Sequence, residues 1–480
     1  MLALLTQLNV VVAILVPLVE ALGLYCAWRA LMHSRTAQGA AAWVVSLVLQ
    51  PFIAVPMYAV FGRRKFVGYV RARREGDGAL AHVAESTCEG VGGCRSDRDE
   101  EVPELAALER LARLPFTSGN RADLLVDGEA TFAATFAGID RAHSYVLVQT
   151  FILRADGIGE ELAGHLLRAA ERGVRVLLLY DEIGSHALPR SFVDRLRAGG
   201  VSVRSFHSTR GKQNRFQLNF RNHRKVVVVD GESAFVGGHN VGDEYLGRDP
   251  EIGPWRDTHV ELRGPVVLGV QLGFLEDWHW ATGRIPELSW VSKPCEDGHM
   301  HALAIASGPA DEFETAALMF LHLIASAHER LWITSPYFVP DDAVVQALIL
   351  ASMRGVDVRI LLPSKPDHLL VYLSSFSYLE ELESSGVCVY RYSPGFLHQK
   401  VALVDDEIAC VGTANLDNRS FRLNFELSVL VHDASFAADV REMLERDFAA
   451  SKKLDLSQLE ERPLWFRSAV KLARLAAPIQ

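Results

Sequence analysis

His223, Lys225 and Asp230 stand in the order His-x-Lys-x4-Asp, and His398, Lys400 and Asp405 repeat that order later in the chain. An imidazole serves as nucleophile, base or acid near neutral pH, and an ammonium neutralises an anion. A doubled His/Lys pair therefore points to chemistry on a phosphate. Each copy is followed by a glycine-containing turn that closes on asparagine: Gly237-Gly238-His239-Asn240 and Gly412-Thr413-Ala414-Asn415. Two half-sites of one design imply a single shared active site. Lys225, Lys400, Asn240 and Asn415 are its expected phosphate donors, a set that binds a phosphate with no metal and no cofactor.

The elements that must hold these groups are legible from the pattern around them. Lys225-Val226-Val227-Val228-Val229-Asp230 is β-branched and reads as a buried strand, and strand alternation puts His223 and Lys225 on one face. Val401 to Val404 repeats the pattern behind His398 and Lys400, and Ala234-Phe235-Val236 and Ile408 to Val411 supply the next strand of each half. The glycines are expected to let the backbone approach a ligand and present the Asn amide. The repeat reaches further out. Ser144 to Phe151 leads through a helix into Arg172 to Leu179, and Arg330 to Tyr337 leads likewise into Arg354 to Leu361. Strands alternating with helices indicate an α/β fold of two equivalent units, over 116–290 and 300–450.

The doubled motif with its Gly/Asn tail resembles the phospholipase D superfamily. Within it the chain is similar to the bacterial cardiolipin synthases over nearly everything except residues 76–102. The likeness rests on Asn219 to Lys225, Trp255-Arg256-Asp257-Thr258-His259-Val260, Ser335 to Asp341, and Asn415 to Phe421 through Asn424-Phe425-Glu426. The resemblance implies two phospholipase D-like units about a pseudo-two-fold axis. It also implies a phosphatidyltransferase that condenses two phosphatidylglycerol molecules to cardiolipin plus glycerol. His223 is then the nucleophile that becomes phosphohistidine and His398 the general acid, although the residues themselves do not rank the two. Each imidazole should have its second nitrogen held by a carboxylate, and Asp257 and Glu426, in matching places after the two motifs, are the candidates. Asp230 and Asp405 complete the catalytic motifs, but their place at strand ends suits the fold better than contact with substrate. Phe151 stands where tyrosine is expected. The motifs do not separate the synthase from a phospholipase D that uses water as acceptor and releases phosphatidic acid. A nucleic-acid phosphodiesterase and an inactive membrane scaffold are the remaining readings.

At 480 residues and 49% hydrophobic content the chain can bury a large core, but its apolar residues are unevenly spread. Leu2 to Trp28 carries no charge except Glu20, and Gly39 to Phe61 carries none, so each is long enough to cross a bilayer. Two transmembrane helices are expected over 1–62, with Glu20 near the end of its apolar run and able to reach the interface. The first segment lacks the basic start and small-residue cleavage site of a signal peptide. Arg63, Arg64, Lys65, Arg71, Arg73 and Arg74 follow the second span, against Arg29 and Arg35 between the spans. This asymmetry predicts a multi-pass protein of the bacterial inner membrane with a cytoplasmic catalytic domain.

Residues 63–115 read as a basic juxtamembrane segment and linker, with 76–102 poorly ordered. A basic stretch through Arg204, Arg210, Lys212, Arg215, Arg221 and Arg224 suits either a solvated loop or the approach of an anionic lipid. The C-terminal segment, 451–480, has a basic amphipathic pattern suited either to a membrane surface or to packing on the domain. The net charge of −10 argues against a nucleic-acid partner. Cys26, Cys88, Cys94, Cys295, Cys388 and Cys410 lack metal-ligand spacing and are expected as free thiols. Acyl-chain preference and oligomeric state leave no trace in the sequence.

Overall fold

The computed structural model describes residues 2–34, 37–62, 69, 77–96, 105–206, 219–365, 367–455 and 462–477. It divides into two units, residues 1–68 with 208–220, and residues 69–207 with 221–480.

In the first unit a helix runs over Leu2–His33 and packs on two shorter ones, Ala37–Leu49 and Pro51–Phe61. Their contact is made of small residues, with Ala27, Ala30, Leu47 and Ala54 buried. Most other apolar side chains, Ile14, Leu18, Leu24 and Ile53 among them, face outward. Val12–His33 is long and apolar enough to cross a membrane. The expected second span is not one helix. It breaks at Gln50, in non-helical conformation, because Pro51 cannot donate to the preceding turn and restricts the residue before it. Glu20 is also placed differently from expectation. Since the first helix continues to His33, Glu20 lies inside the candidate span rather than near its end.

The second unit is built on one sheet of 16 described strands that reads alike from either end. In the first half the strands Ser202–Phe206, Arg175–Asp181, Tyr145–Thr150, Val226–Val229, Ser233–Gly237, Thr258–Arg263 and Thr117–Val126 lie side by side. In the second half Cys388–Tyr392, Asp357–Pro363, Arg330–Thr334, Val401–Val404, Ile408–Gly412, Asn424–His432 and Met300–Ser307 take the same places. The halves join where Thr117–Val126 pairs antiparallel with Met300–Ser307. Local signals repeat too. After the central strand of each half an aspartate caps a helix, Asp156 accepting from the Gly159 N–H and Asp341 from the Val344 N–H. Gly173 and Gly355, at φ of 85° and 92°, then turn the chain into the next parallel strand.

One expectation about the flanks needs correction. Asp77–Gly92, expected to be poorly ordered, is a helix that packs on Val266–Thr282, with Thr87 and Val91 buried. Its end is tied down where Ser292 Oγ donates to the Gly90 carbonyl at 2.7 Å. The C-terminal helix Leu464–Arg474 packs on Leu369–Glu383, burying Val470 and Ala473 and pairing Lys471 with Glu380 and Arg474 with Glu381. The basic residues 63–65 and 71–74, and Arg210, Lys212 and Arg215, lie outside the described residues.

Candidate active site

Each motif histidine is delivered by a short crossing of the chain from one half to the other. Arg221–Asn222 pairs parallel with Asn424–Phe425, and the His223 N–H donates to the Phe425 carbonyl at 2.9 Å. Phe396–Leu397 pairs with Trp255–Arg256 in the same way, and the His398 N–H donates to the Arg256 carbonyl at 2.8 Å. Each histidine therefore lies against the carboxylate that follows the other motif. His223 Nδ1 is 2.9 Å from Glu426 Oε2, and His398 Nδ1 is 2.7 Å from Asp257 Oδ2. A carboxylate at Nδ1 fixes the Nδ1–H tautomer and leaves Nε2 with its lone pair. His223 and His398 keep 9% and 7% exposure, whereas their partner acids are fully buried.

Lys225 and Lys400 are buried beside the imidazoles, and each Nζ donates to the carbonyl of the histidine two residues back. The four groups act on one another across the repeat. Burial, then the charges of Lys225 and Lys400, lowers His223 to about 4 in spite of Glu426. Burial and the same two ammonium groups lower His398 to about 3 against the pull of Asp257. Lys225 falls to about 7 and Lys400 to about 8, both mainly through burial. That His398 responds to Lys225, and His223 to Lys400, means that the two motifs share one electrostatic site. The site holds neutral imidazoles and lysines with a weakened hold on their protons, a combination that a bound anion would relieve.

The acids differ in how they are fixed. Burial opposes ionisation of Glu426, but His223, Lys225 and Thr413 more than offset it and its pKa is lowered. Thr413 Oγ1 donates to it at 2.6 Å, Ser420 Oγ at 2.8 Å and Asn424 Nδ2 at 3.1 Å. Asp257 is likewise opposed by burial and held well below the ordinary carboxylate range by His239 and His398. It accepts from the Thr258 N–H at 2.8 Å and from Trp255 Nε1 at 3.3 Å. Behind it His239 Nδ1 and His259 Nδ1 approach to 3.1 Å, a pair that the sequence reading did not single out.

Several expected site residues lie elsewhere or do other work. Asp230 and Asp405 do not face the imidazoles. Asp230 accepts the backbone N–H groups of His143, Ser144 and Tyr145, each at 2.8 Å, and Asp405 accepts those of Glu329 and Arg330 at 2.8 Å. Both adopt positive φ, 56° and 52°, where aspartate is among the better-tolerated residues. They fasten the turn after each motif strand to the start of the central strand, and so belong to the fold rather than to the catalytic set. Asn240 takes the Ile152 N–H on Oδ1 and donates to Tyr245 Oη at 2.8 Å. Asn415 Nδ2 donates to Asp417 at 3.3 Å. The glycines make room for protein rather than ligand: a Cβ on Gly238 would overlap Asp257 Oδ1, and one on Gly412 would press on the Leu427 carbonyl. Phe151 sets its ring edge-to-face against His223, at 5.2 Å between centroids, and under the Lys225 ammonium.

Arg224 alternates away from the site and is not an approach for lipid. It is buried, with Nη1 on Asp277 at 2.8 Å and Nε on the Glu426 carbonyl at 3.0 Å. In the other half Gln399, also between His and Lys, donates to Asp447 at 2.7 Å, and Asp447 in addition receives Arg256 in a two-pronged pair. Asp277 and Asp447 sit on the corresponding helices Val266–Thr282 and Ala434–Ala449, and they lock the backbone that carries each histidine. The sequence signal for them was their matching place after each half's last strand. A cavity of about 440 Å³ lies on this reverse face, lined by Arg224, Gly273 and Phe425, away from the imidazoles.

A family model described as cardiolipin synthase, PLD-like domain, matches residues 136–258 and 320–448, and one described as phospholipase D-nuclease N-terminal matches 21–63. Cardiolipin synthase A of Pseudomonas aeruginosa (strain LESB58) is 50% identical over 465 residues, covering 96% of this chain and 94% of that one. Cardiolipin synthase A of Pseudomonas entomophila is 48% identical over 472 residues, covering 97% and 98%. The solved structure of phosphatidylserine synthase from Haemophilus influenzae aligns with a TM-score of 0.61 at 16% identity, covering 78% of this chain and 99% of that one, which is a likeness of fold.

Proposed function

The chain belongs to the cardiolipin synthase family with phospholipase D-like domains, and from that premise we propose how its site makes cardiolipin. It is a membrane enzyme that transfers a phosphatidyl group between lipid molecules. Phosphatidylglycerol is both donor and acceptor. The observation that carries this reading is the crossed pairing, His223 on Glu426 and His398 on Asp257, which makes one two-histidine site from two halves.

The phosphodiester lies between Lys225 and Lys400, whose charges it restores, with the remaining N–H groups of Asn240 and Asn415 as further donors. Its negative charge also offsets the repulsion that keeps His398 neutral, so His398 Nε2 takes up a proton as substrate binds. Nε2 of neutral His223 attacks phosphorus, the bond to the glycerol headgroup breaks, and the departing alkoxide takes the proton from His398. Glycerol leaves, and His223 carries the phosphatidyl group. The terminal hydroxyl of a second phosphatidylglycerol then attacks, its proton passes to His398, and the P–N bond breaks to give cardiolipin. One phosphodiester replaces another, so no activated donor is consumed.

In this reading residues 116–290 and 300–450 are the two catalytic halves, 63–115 connects them to a membrane part at 1–62, and 451–480 closes the second half. The protein is multi-pass in the bacterial inner membrane with its catalytic unit on the cytoplasmic side.

The test is incubation of the purified full-length protein with labelled phosphatidylglycerol beside His223→Ala and His398→Ala. Cardiolipin and glycerol should form, and each variant should lose at least about 10³-fold of the rate. Phosphatidic acid as the sole product would put water in the acceptor's place. Full activity in either variant would remove the two-histidine mechanism.

A further inference from the structure

The C-terminal helix Leu464–Arg474 has two apolar faces, and the fold covers only one. Phe466, Val470 and Ala473 turn toward Leu369–Glu383, with Phe466 against Phe376 at 5.6 Å. On the far side Leu464, Trp465, Leu472 and Leu475 are 77%, 70%, 66% and 78% exposed. At 100° per residue these four and Ser468 fall within about 100° of arc, so they form one stripe rather than scattered exposures. Four large apolar side chains on so short a helix, left in water, call for an occupant.

The surroundings say which. Residues 462–477 contain Arg462, Arg467, Lys471 and Arg474 and no acidic residue, in a chain whose net charge is −10. Lys471 and Arg474 pin the helix to Glu380 and Glu381, whereas Arg467 is exposed on the flank next to Leu464 and Arg462, also exposed, lays its guanidinium over Phe466 at 5.6 Å. An apolar stripe flanked by the exposed Arg467 and carrying an outward tryptophan matches an anionic headgroup layer over acyl chains. The underlying helix links this surface to the site. The two helices run parallel, Phe376 meeting Phe466 and Glu381 meeting Arg474. At its start the underlying helix exposes Leu369 and Leu370, just after Asp367, which accepts from Tyr337 Oη and whose charge acts on Lys400.

We propose that the outer face of Leu464–Arg474 with its C-cap Leu475, together with Leu369 and Leu370, docks on the anionic bilayer and holds the catalytic unit at the surface from which lipid enters. This rests on the reading of the substrate as a membrane phospholipid.

The experiment uses the full chain in vesicles of phosphatidylcholine and phosphatidylglycerol with brominated acyl chains, comparing wild type with Trp465→Phe. The fluorescence that Trp465 contributes should be quenched by the brominated lipid. The triple variant Leu464→Ser/Leu472→Ser/Leu475→Ser should make cardiolipin about fivefold to tenfold more slowly from bilayer phosphatidylglycerol. Its rate on dispersed short-chain phosphatidylglycerol should stay at the wild-type level, which also shows that the variant is folded. An unquenched Trp465 overturns the proposal, including the case in which its emission is shifted by a second copy of the chain. Equal loss of rate on both substrate forms overturns it as well. Quenching without any cardiolipin formed would support docking while removing the reaction assigned above, so the two readings fail separately.

Discussion

The two half-sites share a backbone plan and differ in what surrounds the carboxylate. Glu426 sits among neutral donors, Thr413, Ser420 and Asn424, that can only hold it as an acceptor. Asp257 has no side chain at the place of Thr413, because Gly238 occupies that position, and it is backed by His239 and His259 instead. The difference shows how a repeat can yield unlike roles. Symmetry supplies two equivalent imidazoles, and the cage around each acid decides how freely its histidine changes charge. In the proposed mechanism a fixed acceptor suits His223, which must attack with Nε2 bare. In the same mechanism an acid beside other imidazoles suits His398, which must gain and lose a proton within each turnover.

The largest expected effect separates these roles. Glu426→Gln and Asp257→Asn should each lower cardiolipin formation about 10³- to 10⁴-fold, since the wrong tautomer is then favoured. With a phosphatidyl ester of p-nitrophenol, a leaving group that needs no proton, Asp257→Asn and His398→Ala should recover most of the first-turnover burst of p-nitrophenol while Glu426→Gln and His223→Ala show no burst. Recovery in the opposite pair would reverse the assignment of nucleophile and acid.

The buried aspartates behind the motifs sharpen the comparison at the level of stability. Asp277→Ala strands the Arg224 charge in the interior and should cost about 3–5 kcal/mol. Asp447→Ala should cost less, about 1–3 kcal/mol, because Arg256 keeps Asp127 at 3.0 Å. Urea melts of both variants decide the order, and a larger loss for Asp447→Ala would contradict the account of which half depends on one ion pair.

The site lysines also make stability depend on pH. Lys225 and Lys400 fall from 10.5 when free to about 7 and about 8 when folded. Between those limits the unfolded chain binds protons that the folded one does not. Their contribution to stability is therefore full above about 10.5 and declines as pH falls toward 8 and 7. The histidines, lowered from 6.5 to about 4 and about 3, add a second decline below about 6.5. Melting temperature should rise with pH from 6 to 9, and Lys225→Met should flatten that limb. An unchanged slope in the variant would show that the limb belongs to other groups.

Much of this molecule is written in its sequence because the relevant forces are local. Runs such as Val226–Val229 and Val401–Val404 can scarcely be anything but buried strands, the Asp156 and Asp341 caps and the Gly173 and Gly355 turns set helix and strand boundaries, and alternation puts each His and Lys on one face. Repetition then gives the two-fold plan of the sheet. The tertiary structure decided what depends on contacts between distant segments. Short strands that cross between the halves set Glu426 on His223 and Asp257 on His398, a choice that spacing along the chain does not encode. The same long-range packing turned Asp230 and Asp405 into backbone anchors, gave Gly238 to the orienting acid, buried Arg224 on Asp277, and ordered 77–92 as a helix against Val266–Thr282. Burial, which only the assembled fold supplies, is also what lowers the four site pKa values and keeps the imidazoles neutral.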